Sequence, residues 1–363
     1  MLARPVAVHA PVHKGSIDLP TGLYVRVNED LVVQGSPLLV LRRTYLSGFR
    51  ESREFGIGTT HSGEDFLIGD DKHFQWVSLI LARGTRINFK RATPGTTVMG
   101  ARFVHEETAG EWQGAELSWR LLSWVLKKRD GTVLAFRGCG EASVCSIITS
   151  TNPQGQTIYY QRDAHGRLRR MVTGDRWIAF QYDNKGRIER AHDSNKRTVR
   201  YAYDARGRLE RVTGSGGSTH RYTYTDLDEL QTIEEPGTSI TNAYEDGRCV
   251  RQVNWFPDRD PYVFELKYQA EGRTVHRTRI SESNGTWREY AWDDRSTTMS
   301  ELHGRAGSEP AFVMYERDAP SRAVIALTVS CKNREGRPTR QRFEVTQGEA
   351  ELLKRALLEK LCS

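Results

Sequence analysis

The chain has 363 residues, of which 37% are hydrophobic and 27% are charged, a composition typical of a folded protein with a core. Wholesale disorder is excluded, and no apolar run reaches the roughly eighteen residues that a membrane-spanning helix needs. Lys and Arg number 53 against 46 Asp and Glu, so the formal net charge is +7. Because a basic surface attracts phosphate, nucleic acid is the first partner class to test against where that charge lies.

The cysteines and the N-terminus bear on the cellular compartment. Five cysteines, an odd number at wide spacing, predict reduced thiols rather than a disulfide framework or a zinc site. They are Cys139, Cys145, Cys249, Cys331 and Cys362. Residues 1–14 lack the apolar stretch of a secretory signal peptide, since Pro11, His13 and Lys14 interrupt it. We therefore expect a cytoplasmic protein before any specialised export.

Residues 15–137 contain short apolar or alternating runs between Gly, Pro, Asn and Asp, a pattern typical of β-strands. Strands are predicted at Leu23–Val27, Leu38–Leu41, Phe66–Ile68, Phe74–Leu81, Arg86–Phe89, Leu121–Lys127 and Val133–Arg137. Asp130-Gly131 is predicted as a hairpin turn between the last two. Residues 93–117 are expected to be looped, because Gly, Pro and Thr clusters interrupt them.

Polar clusters in the sequence do not predict a catalytic, cofactor or metal site. His61–Asp65 brings an imidazole, a hydroxyl and carboxylates together, but neighbours on a strand point to opposite faces, so we interpret this stretch as a turn. Cys139 and Cys145 lack a second pair of zinc ligands. Asp226 and Asp228 lack the Gly and the distal Glu of a calcium loop.

An internal repeat begins near residue 160. The dipeptide Gly-Arg is absent before residue 165 and then occurs seven times, at Gly166, Gly186, Gly207, Gly247, Gly272, Gly304 and Gly336. The clearest copies span residues 160–168, 180–188 and 201–209, and their glycines lie 20 and 21 residues apart. Degenerate copies continue to about residue 294, so the second half of the chain is predicted to be an array.

The repeated unit has the pattern of a β-hairpin. In residues 199–203 the valine and two tyrosines alternate with Arg and Ala, which places the large side chains on one face. Asp204 and Gly207 suit the following turn, because the carboxylate binds backbone N–H groups and glycine accepts positive φ. Leu209 and Val212 have opposite parity, so a bulge or an early strand end is expected between them. One hairpin cannot bury its tyrosine face alone, so the hairpins are predicted to stack.

This reasoning makes the repeat residues a scaffold: rings bury area, Asp and Gly form turns, and Arg pairs with an acidic neighbour or stacks on a ring. The predicted structural residues are Tyr160, Asp163, Gly166, Arg167, Tyr182, Asp183, Gly186, Arg187, Tyr201, Tyr203, Asp204, Gly207, Arg208, Tyr224, Tyr244, Gly247, Tyr268 and Gly272. No catalytic, cofactor-binding or metal-binding residue is predicted.

At these residues the sequence resembles the YD-repeat (Rhs) family, whose unit reads roughly Tyr-x-Tyr-Asp-x-x-Gly-Arg-Leu. The match covers about residues 156–295, and residues 14–62 are similar to the N-terminal domain of bacterial Rhs proteins. The resemblance implies an all-β fold of stacked hairpins forming a curved sheet. In large members such a sheet makes a hollow shell, often around a C-terminal toxin. This chain has about seven units, too few for a closed shell, and lacks the Asp-Pro-x-Gly-Leu signature that ends it.

Five parts are predicted along the chain. They are an N-terminal tail at 1–14, an Rhs-like β-domain at 15–92, a loop with a connecting hairpin at 93–155, the YD hairpins at 156–305 and a C-terminal ββα piece at 306–363. The last part contains strands at 323–330 and 341–345, joined by a turn at 333–336. Thr346–Glu349 has capping-box spacing before leucines at helical intervals. We expect this piece to cover the open sheet edge.

The resemblance favours a non-catalytic scaffold or interaction protein related to bacterial toxin-delivery systems, including a truncated or orphan copy. Toxin, secretion or immunity proteins, or a cell-surface glycan, are the expected partners, with no cofactor. Two alternatives stay open: toxin or hydrolase activity in residues 306–363, and carbohydrate binding through aromatics such as Trp255, Phe256 or Trp287. The number of Gly-Arg arginines, seven, equals the net charge of +7, so the excess positive charge is attributed to the repeat. Nucleic acid is therefore not expected as a partner.

Overall fold

The computed structural model describes residues 12–13, 17–70, 75–82, 85–106, 111–138, 144–272, 274–293, 297–318, 323–333, 336–345 and 349–362. These residues contain 32 β-strands and one α-helix, so the predicted all-β fold with a small C-terminal ββα piece is confirmed. No helix in this part of the chain is long and apolar enough to cross a membrane. The chain divides into two compact units: Val25–Pro236, and Gly237–Ser363 with the described residues that precede Val25.

Seven strands open the chain. They are β1 (Val12–His13), β2 (Ile17–Asp18), β3 (Leu23–Val33), β4 (Leu39–Leu46), β5 (Ser52–Arg53), β6 (Gly56–Ile57) and β7 (Thr59–His61). β3 extends six residues beyond the predicted Leu23–Val27, because its second half pairs with β4 and buries Leu31 and Val33. β4 also pairs with β7, which brings His61 beside Arg43.

Strands β8–β15 close a ring of eight antiparallel strands within the first unit. They are β8 (Phe66–Gly69), β9 (Trp76–Ile80), β10 (Arg86–Arg91), β11 (Arg102–Val104), β12 (Glu116–Arg120), β13 (Ser123–Lys127), β14 (Val133–Arg137) and β15 (Cys145–Thr151). Each strand pairs with the next, and β15 pairs back with β8 through Cys145 opposite Leu67. Phe89, Phe103 and Phe136 are fully buried.

The expectation that residues 93–117 are looped is wrong in part. β11 lies inside this stretch and β12 begins at Glu116. Three-residue strands show no periodicity, and β11 exists because its neighbours pair with it and bury Phe103. Leu121 and Leu122, predicted to begin a strand, instead form the turn before β13, with φ of 46° and 68°. Phe74 of the predicted strand at 74–81 lies outside the described residues, and β9 begins at Trp76.

The repeat hairpins of the first unit comprise eight strands. They are β16 (Thr157–Arg162), β17 (Leu168–Thr173), β18 (Arg176–Tyr182), β19 (Ile188–Asp193), β20 (Thr198–Tyr203), β21 (Leu209–Thr213), β22 (Thr219–Tyr224) and β23 (Leu230–Glu235). The bulge predicted between Leu209 and Val212 is confirmed: Tyr203 lies opposite Leu209 and Ala202 opposite Arg211, so Glu210 has no partner across the ladder. The same register shift recurs in the other three hairpins.

The second unit continues the antiparallel pattern and ends in a helix. Its strands are β24 (Thr238–Glu245), β25 (Arg248–Trp255), β26 (Tyr262–Glu271), β27 (Thr274–Glu282), β28 (Thr286–Trp292), β29 (Thr298–Arg305), β30 (Ala311–Arg317), β31 (Val324–Lys332) and β32 (Pro338–Glu344), followed by α1 (Ala350–Leu361). Each strand from β24 to β32 pairs with the next.

Helix α1 packs on a sheet face, not over an edge as expected. Leu357 joins a core with Val313, Tyr315, Leu327 and Val329 of β30 and β31. The helical leucines that the sequence places on one side supply this contact, and a two-layer arrangement buries more apolar area than an edge contact does. Thr346 of the predicted capping box lies outside the described residues.

The prediction of reduced thiols is wrong for three of the five cysteines. A disulfide joins Cys331 at the end of β31 to Cys362 after α1, and Cys145 is also disulfide-bonded. Cys249 is buried as a thiol, and Cys139 lies outside the described residues. The spacing of 31 residues between Cys331 and Cys362 carries no signal in the sequence, because only the packing of α1 on β31 brings the two together.

The compact units do not follow the predicted part boundaries. The predicted limits near residues 92 and 155 fall inside the unit Val25–Pro236, whereas the observed division falls within the repeat array. Strands β4–β7 share a unit with the first repeat hairpins, and residues of this segment bond to those hairpins directly.

Candidate functional site

Each clear repeat closes its turn with an ion pair between its own Asp and Arg. The Asp204 carboxylate accepts the backbone N–H of Arg208 at 2.9 Å and its guanidinium Nε at 2.6 Å. Partial burial raises the pKa of Asp204, but these bonds lower it below its usual value. Gly207 has a φ of 88°, which favours glycine. The same pair recurs as Asp183–Arg187 and Asp163–Arg167, each at 2.7 Å. The repeat arginines are therefore neutralised within their own turns.

Neighbouring repeats are joined through the second tyrosine of each unit. The Tyr203 hydroxyl donates to the carbonyl of Ile188 at 2.6 Å, and the guanidinium of Arg187 lies 4.3 Å from the centre of its ring. The equivalent bonds are Tyr182 to Leu168 and Tyr224 to Leu209, both at 2.7 Å, with Arg167 and Arg208 over the rings at 4.8 and 4.9 Å. Each repeat thus bonds to the one before it, which is how a stacked array propagates.

The remaining predicted repeat residues occupy related positions. Tyr268 donates to the carbonyl of Cys249 at 2.7 Å. Gly166, Gly186, Gly247 and Gly272 all have positive φ, of 81°, 78°, 74° and 57°. Tyr244 is half-buried in β24, whereas Tyr160 and Tyr201 are buried on the inner face. The first tyrosine of a unit therefore faces inward and the second links repeats.

The N-terminal segment, defined as residues 25–65, bonds to successive repeat hairpins. The contacts are Glu54 O with Ile188 N at 2.7 Å, Ile57 N with Gly207 O at 3.3 Å, Tyr201 OH with Asp30 at 2.9 Å, Tyr45 OH with Asp228 O at 3.0 Å, and Arg176 with Pro37 O at 2.8 Å. Arg43 and Asp30 form a buried ion pair at 2.9 Å beneath the tyrosines. The N-terminal segment packs against the tyrosine face of the repeat hairpins. Without it, that face would have nothing to bury it.

The Glu54 carboxylate lies at the centre of a second buried cluster in this contact. It accepts hydrogen bonds from His61 Nε2 at 2.8 Å and from the backbone N–H of Leu168 at 3.1 Å. The Tyr182 hydroxyl lies 2.9 Å away, and its single proton is shared between Glu54 and the carbonyl of Leu168. Glu64 is buried beside it, with one oxygen 3.8 Å from His61 Nε2. Arg162 donates to the carbonyl of Gly63 at 2.6 Å. These side chains come from β7, its flanking turns and the first two repeats.

Charge within the Glu54 cluster is set by burial and by its neighbours. Burial raises the pKa of Glu64. Burial also acts to raise the pKa of Glu54, but the hydrogen bond from His61 lowers it below the usual value. The two carboxylates raise the pKa of His61 against the effect of burial. Gly63 N–H, however, donates to His61 Nδ1 at 3.1 Å. One N–H cannot donate to another, so in this arrangement the ring is neutral and Nε2 carries the proton.

The same tautomer argues against a metal ion. Glu54, His61 and Glu64 each place one ligand atom within 4.8 Å of the others, which is close enough to enclose a cation. A metal on Nε2 would require the proton on Nδ1, where Gly63 N–H already donates. The nearby charge of Arg162 adds repulsion. Among the described residues His61 bonds to no Ser, Thr or Cys nucleophile. The cluster therefore serves as an anchor.

A polar cleft of about 350 Å³ opens beside this cluster. Its lining includes Arg53, Arg162 and Lys185 together with Glu64 and Asp65. Charges of both signs alternate around it, so it presents no field of one sign to a ligand.

Sequence reasoning missed Glu54, Arg43 and Arg162 as contact residues. Each lies beside another charged residue in a segment of ordinary composition, and each becomes buried only because another part of the chain packs over it. The stretch His61–Asp65 was visible as a polar cluster, and its interpretation as a turn fits Ser62 and Gly63, whereas His61 itself ends β7.

Comparison with known families agrees with this architecture. The family described as Teneurin YD-shell matches residues 147–306, and a domain of unknown function, DUF6531, matches residues 14–89. The chain is a YD-repeat protein of the Rhs type. The repeat hairpins are its YD hairpins, and the N-terminal segment lies within the DUF6531 match.

Solved structures add only a distant likeness to this YD-repeat protein. A crystal structure titled TcdB2-TccC3 shares 10% identity, covering 90% of this chain and 23% of that chain at a TM-score of 0.36. One titled TcdB2-TccC3-Cdc42 shares 9% identity, covering 89% and 22% at a TM-score of 0.35. This chain thus spans less than a quarter of their length. No curated protein matches it.

Proposed function

We propose that this chain is a non-catalytic YD-repeat scaffold whose N-terminal segment organises the first YD hairpins, and that it acts within a bacterial toxin-delivery system. The observation that carries the scaffold role is the use of Glu54. All three of its bonds go to groups that hold His61 and two repeats in place. These bonds join β7 to the first two repeats, as a structural contact between the N-terminal segment and the hairpins requires. The link to toxin delivery rests on the Rhs family resemblance.

The proposal predicts protein partners among the products of neighbouring genes, such as a toxin, an immunity protein or a secretion component. The full chain serves as bait for each purified product. The matched pair of variants is Glu54→Gln, which weakens the anchor, and Glu51→Gln, whose side chain is 50% exposed. We expect wild type and Glu51→Gln to bind at least one product and Glu54→Gln to bind it more weakly. Failure of every product to bind the wild-type chain would contradict the proposal.

Enzymatic activity in residues 306–363 is tested with the same full chain. The buried Glu301 carboxylate accepts hydrogen bonds from His303 at 2.8 Å, Lys354 at 3.1 Å and the Tyr315 hydroxyl. These bonds hold α1 on the sheet, so the three groups have a structural role. We expect bacteria that express the chain to grow normally. Growth arrest that a Lys354→Met substitution relieves without unfolding the chain would assign activity to this part.

Carbohydrate binding is a second candidate, favoured by the exposure of Trp255. Trp255 is 47% exposed, whereas Phe256 is covered by Arg259 at 3.7 Å and Trp287 by Arg279 at 4.1 Å. A glycan array with wild type, Trp255→Ala and the control Leu227→Ala tests it, since Leu227 is also exposed. Glycan signals that only Trp255→Ala removes would support this function, and the absence of wild-type signals would end it.

A further inference from the structure

A row of arginines crosses the outer face of the YD hairpins. The arginine face is defined by Arg170, Arg190, Arg200, Arg211 and Arg221, on β17, β19, β20, β21 and β22. Each arginine is adjacent in sequence to a buried residue, such as Met171, Ala191 or Val212, so it points away from the core. Strands lie about 4.8 Å apart, so the row crosses roughly 24 Å of sheet. None of these arginines belongs to the Gly-Arg turns.

The five guanidinium groups lack acidic partners. Within the described part of the chain none of them forms an ion pair or a side-chain hydrogen bond, in contrast to Arg187 or Arg208. Glu189, Glu210 and Glu234 are exposed nearby, and Glu234 lies directly opposite Arg221 in the β22–β23 ladder, but no ion pair joins the two side chains. The turn aspartates therefore neutralise the clear Gly-Arg arginines, whereas no described aspartate or glutamate pairs with these five. Positive charge without an ion pair therefore lies on this face.

The register makes the row costly for folding. Arg190 lies directly opposite Arg200, and Arg211 directly opposite Arg221. Like charges in directly opposed positions destabilise a sheet. The Nε atoms of Arg170 and Arg190 are also covered by neighbouring atoms and have no hydrogen-bond partner among the described residues. A surface whose arginines repel one another is suited to an anionic ligand, which removes that repulsion.

Aromatic rings border one end of the arginine face. Arg170 lies 4.5 Å from the centre of the Trp177 ring, whose edge meets His192 at 5.4 Å. Tyr159 lies in the same cross-strand row as Trp177, and its side chain is 53% exposed. Rings beside a basic track allow bases to stack while the backbone follows the charges.

We propose that the arginine face binds a single strand of nucleic acid through its phosphodiester backbone. The guanidinium fork matches a phosphate in two parallel hydrogen bonds. The pairs Arg190–Arg200 and Arg211–Arg221 occupy neighbouring cross-strand rows on β19–β22, and Arg170 lies beyond β18, so the arginines form a stepped track that a flexible linear polyanion can follow. The exposed Tyr159 ring distinguishes this ligand from an acidic peptide, because every base offers a face for stacking. This goes beyond the scaffold role and replaces the expectation, drawn from the Gly-Arg count, that nucleic acid is not a partner.

The test measures binding of a fluorescein-labelled oligothymidylate of about 20 nucleotides by fluorescence anisotropy across salt concentrations. The variant Arg200→Gln/Arg211→Gln/Arg221→Gln is compared with Arg305→Gln/Arg340→Gln/Arg355→Gln, whose arginines are exposed elsewhere. Both variants lose three positive charges, so a difference between them reports position and not net charge. Thermal unfolding shows that each is folded, and the first variant should melt no lower than wild type because it relieves the repulsion between Arg211 and Arg221.

Each phosphate contact contributes about 0.7 to the slope of log affinity against log salt for single strands, so five contacts give a slope of roughly −3.5. Loss of three contacts lowers affinity roughly hundredfold at about 0.1 M salt, while the control variant stays within about threefold of wild type. Equal losses in the two variants would overturn the proposal. It is also overturned if wild type ignores the oligonucleotide but binds polyglutamate or vesicles containing phosphatidylglycerol, which would assign the face to an acidic peptide or a lipid surface.

Discussion

Arg187 and Tyr203 belong to adjacent repeats, and the guanidinium of the first lies 4.3 Å from the ring centre of the second. Arg187 also pairs with Asp183 of its own turn. One side chain thus neutralises its turn and contacts the next hairpin, so the Gly-Arg dipeptide carries both the local and the long-range part of the repeat.

The link between repeats predicts an unequal response of two tyrosines. Tyr203→Phe removes the hydroxyl that bonds to the carbonyl of Ile188 and leaves that acceptor covered. We expect the free energy of unfolding to fall by about 1–3 kcal/mol, measured by urea unfolding with tryptophan fluorescence. Tyr159→Phe is the control, since its side chain is largely exposed. Equal losses for the two would show that the hydroxyl bond contributes nothing.

The positive φ of the turn glycine predicts that two glycines respond differently to substitution by alanine. Gly207 has a φ of 88°, a conformation that costs an alanine about 1–2 kcal/mol, whereas Gly216 does not have positive φ and a Cβ there would meet no atom within 4 Å. Gly207→Ala should lower the urea midpoint and Gly216→Ala should leave it nearly unchanged. A neutral Gly207→Ala would mean that the turn can change type at little cost.

Acid should release helix α1 through Glu301. Burial alone would raise the pKa of this carboxyl, but the hydrogen bond from His303, the charge of Lys354 and the Tyr315 hydroxyl lower it to about 2. Because the folded pKa lies below the unfolded value of about 4.5, the stabilisation is fully present above about pH 4.5 and is lost as the pH falls toward 2. The shift corresponds to roughly 3 kcal/mol.

Hydrogen exchange of the α1 amides at pH 5 and pH 3 measures this effect. Wild type should lose protection at the lower pH. Glu301→Gln should already show reduced protection at pH 5 and change little on acidification, whereas the exposed Glu344→Gln should behave as wild type. Unchanged wild-type protection at pH 3 would rule out Glu301 as the acid-sensitive contact.

The disulfide between Cys331 and Cys362 should hold the end of α1 on the sheet. A helix of 12 residues is marginal by itself, so it depends on this bond and on the core around Leu357. Reduction should cost the C-terminal piece about 2–4 kcal/mol and speed exchange of the α1 amides. Amides of the YD hairpins in the first unit serve as the internal control. Equal hydrogen exchange of the α1 amides before and after reduction would mean that the core around Leu357 holds the helix without the disulfide.

Sequence periodicity determined the hairpins, their turns and even the bulge at Glu210, because these depend on residues within about ten positions of one another. The alternation in residues 199–203 and the Asp-to-Gly spacing carry that information locally. The helix was visible for the same reason. Strand β11 and the Leu121-Leu122 turn were missed, since three residues have no period and two bulky residues do not mark a turn.

Only the tertiary structure decided the rest. Glu54 became an anchor because the chain brings His61, Tyr182 and Leu168 to it from different elements. The tertiary structure also decided which arginines behind the net charge of +7 are left without an acidic partner. Counting assigned the excess to the Gly-Arg arginines, but each clear repeat pairs its arginine with its own Asp, while strand register places Arg190 opposite Arg200 on an outer face. Charge is a sum over the sequence, whereas a field depends on which charges the fold brings together.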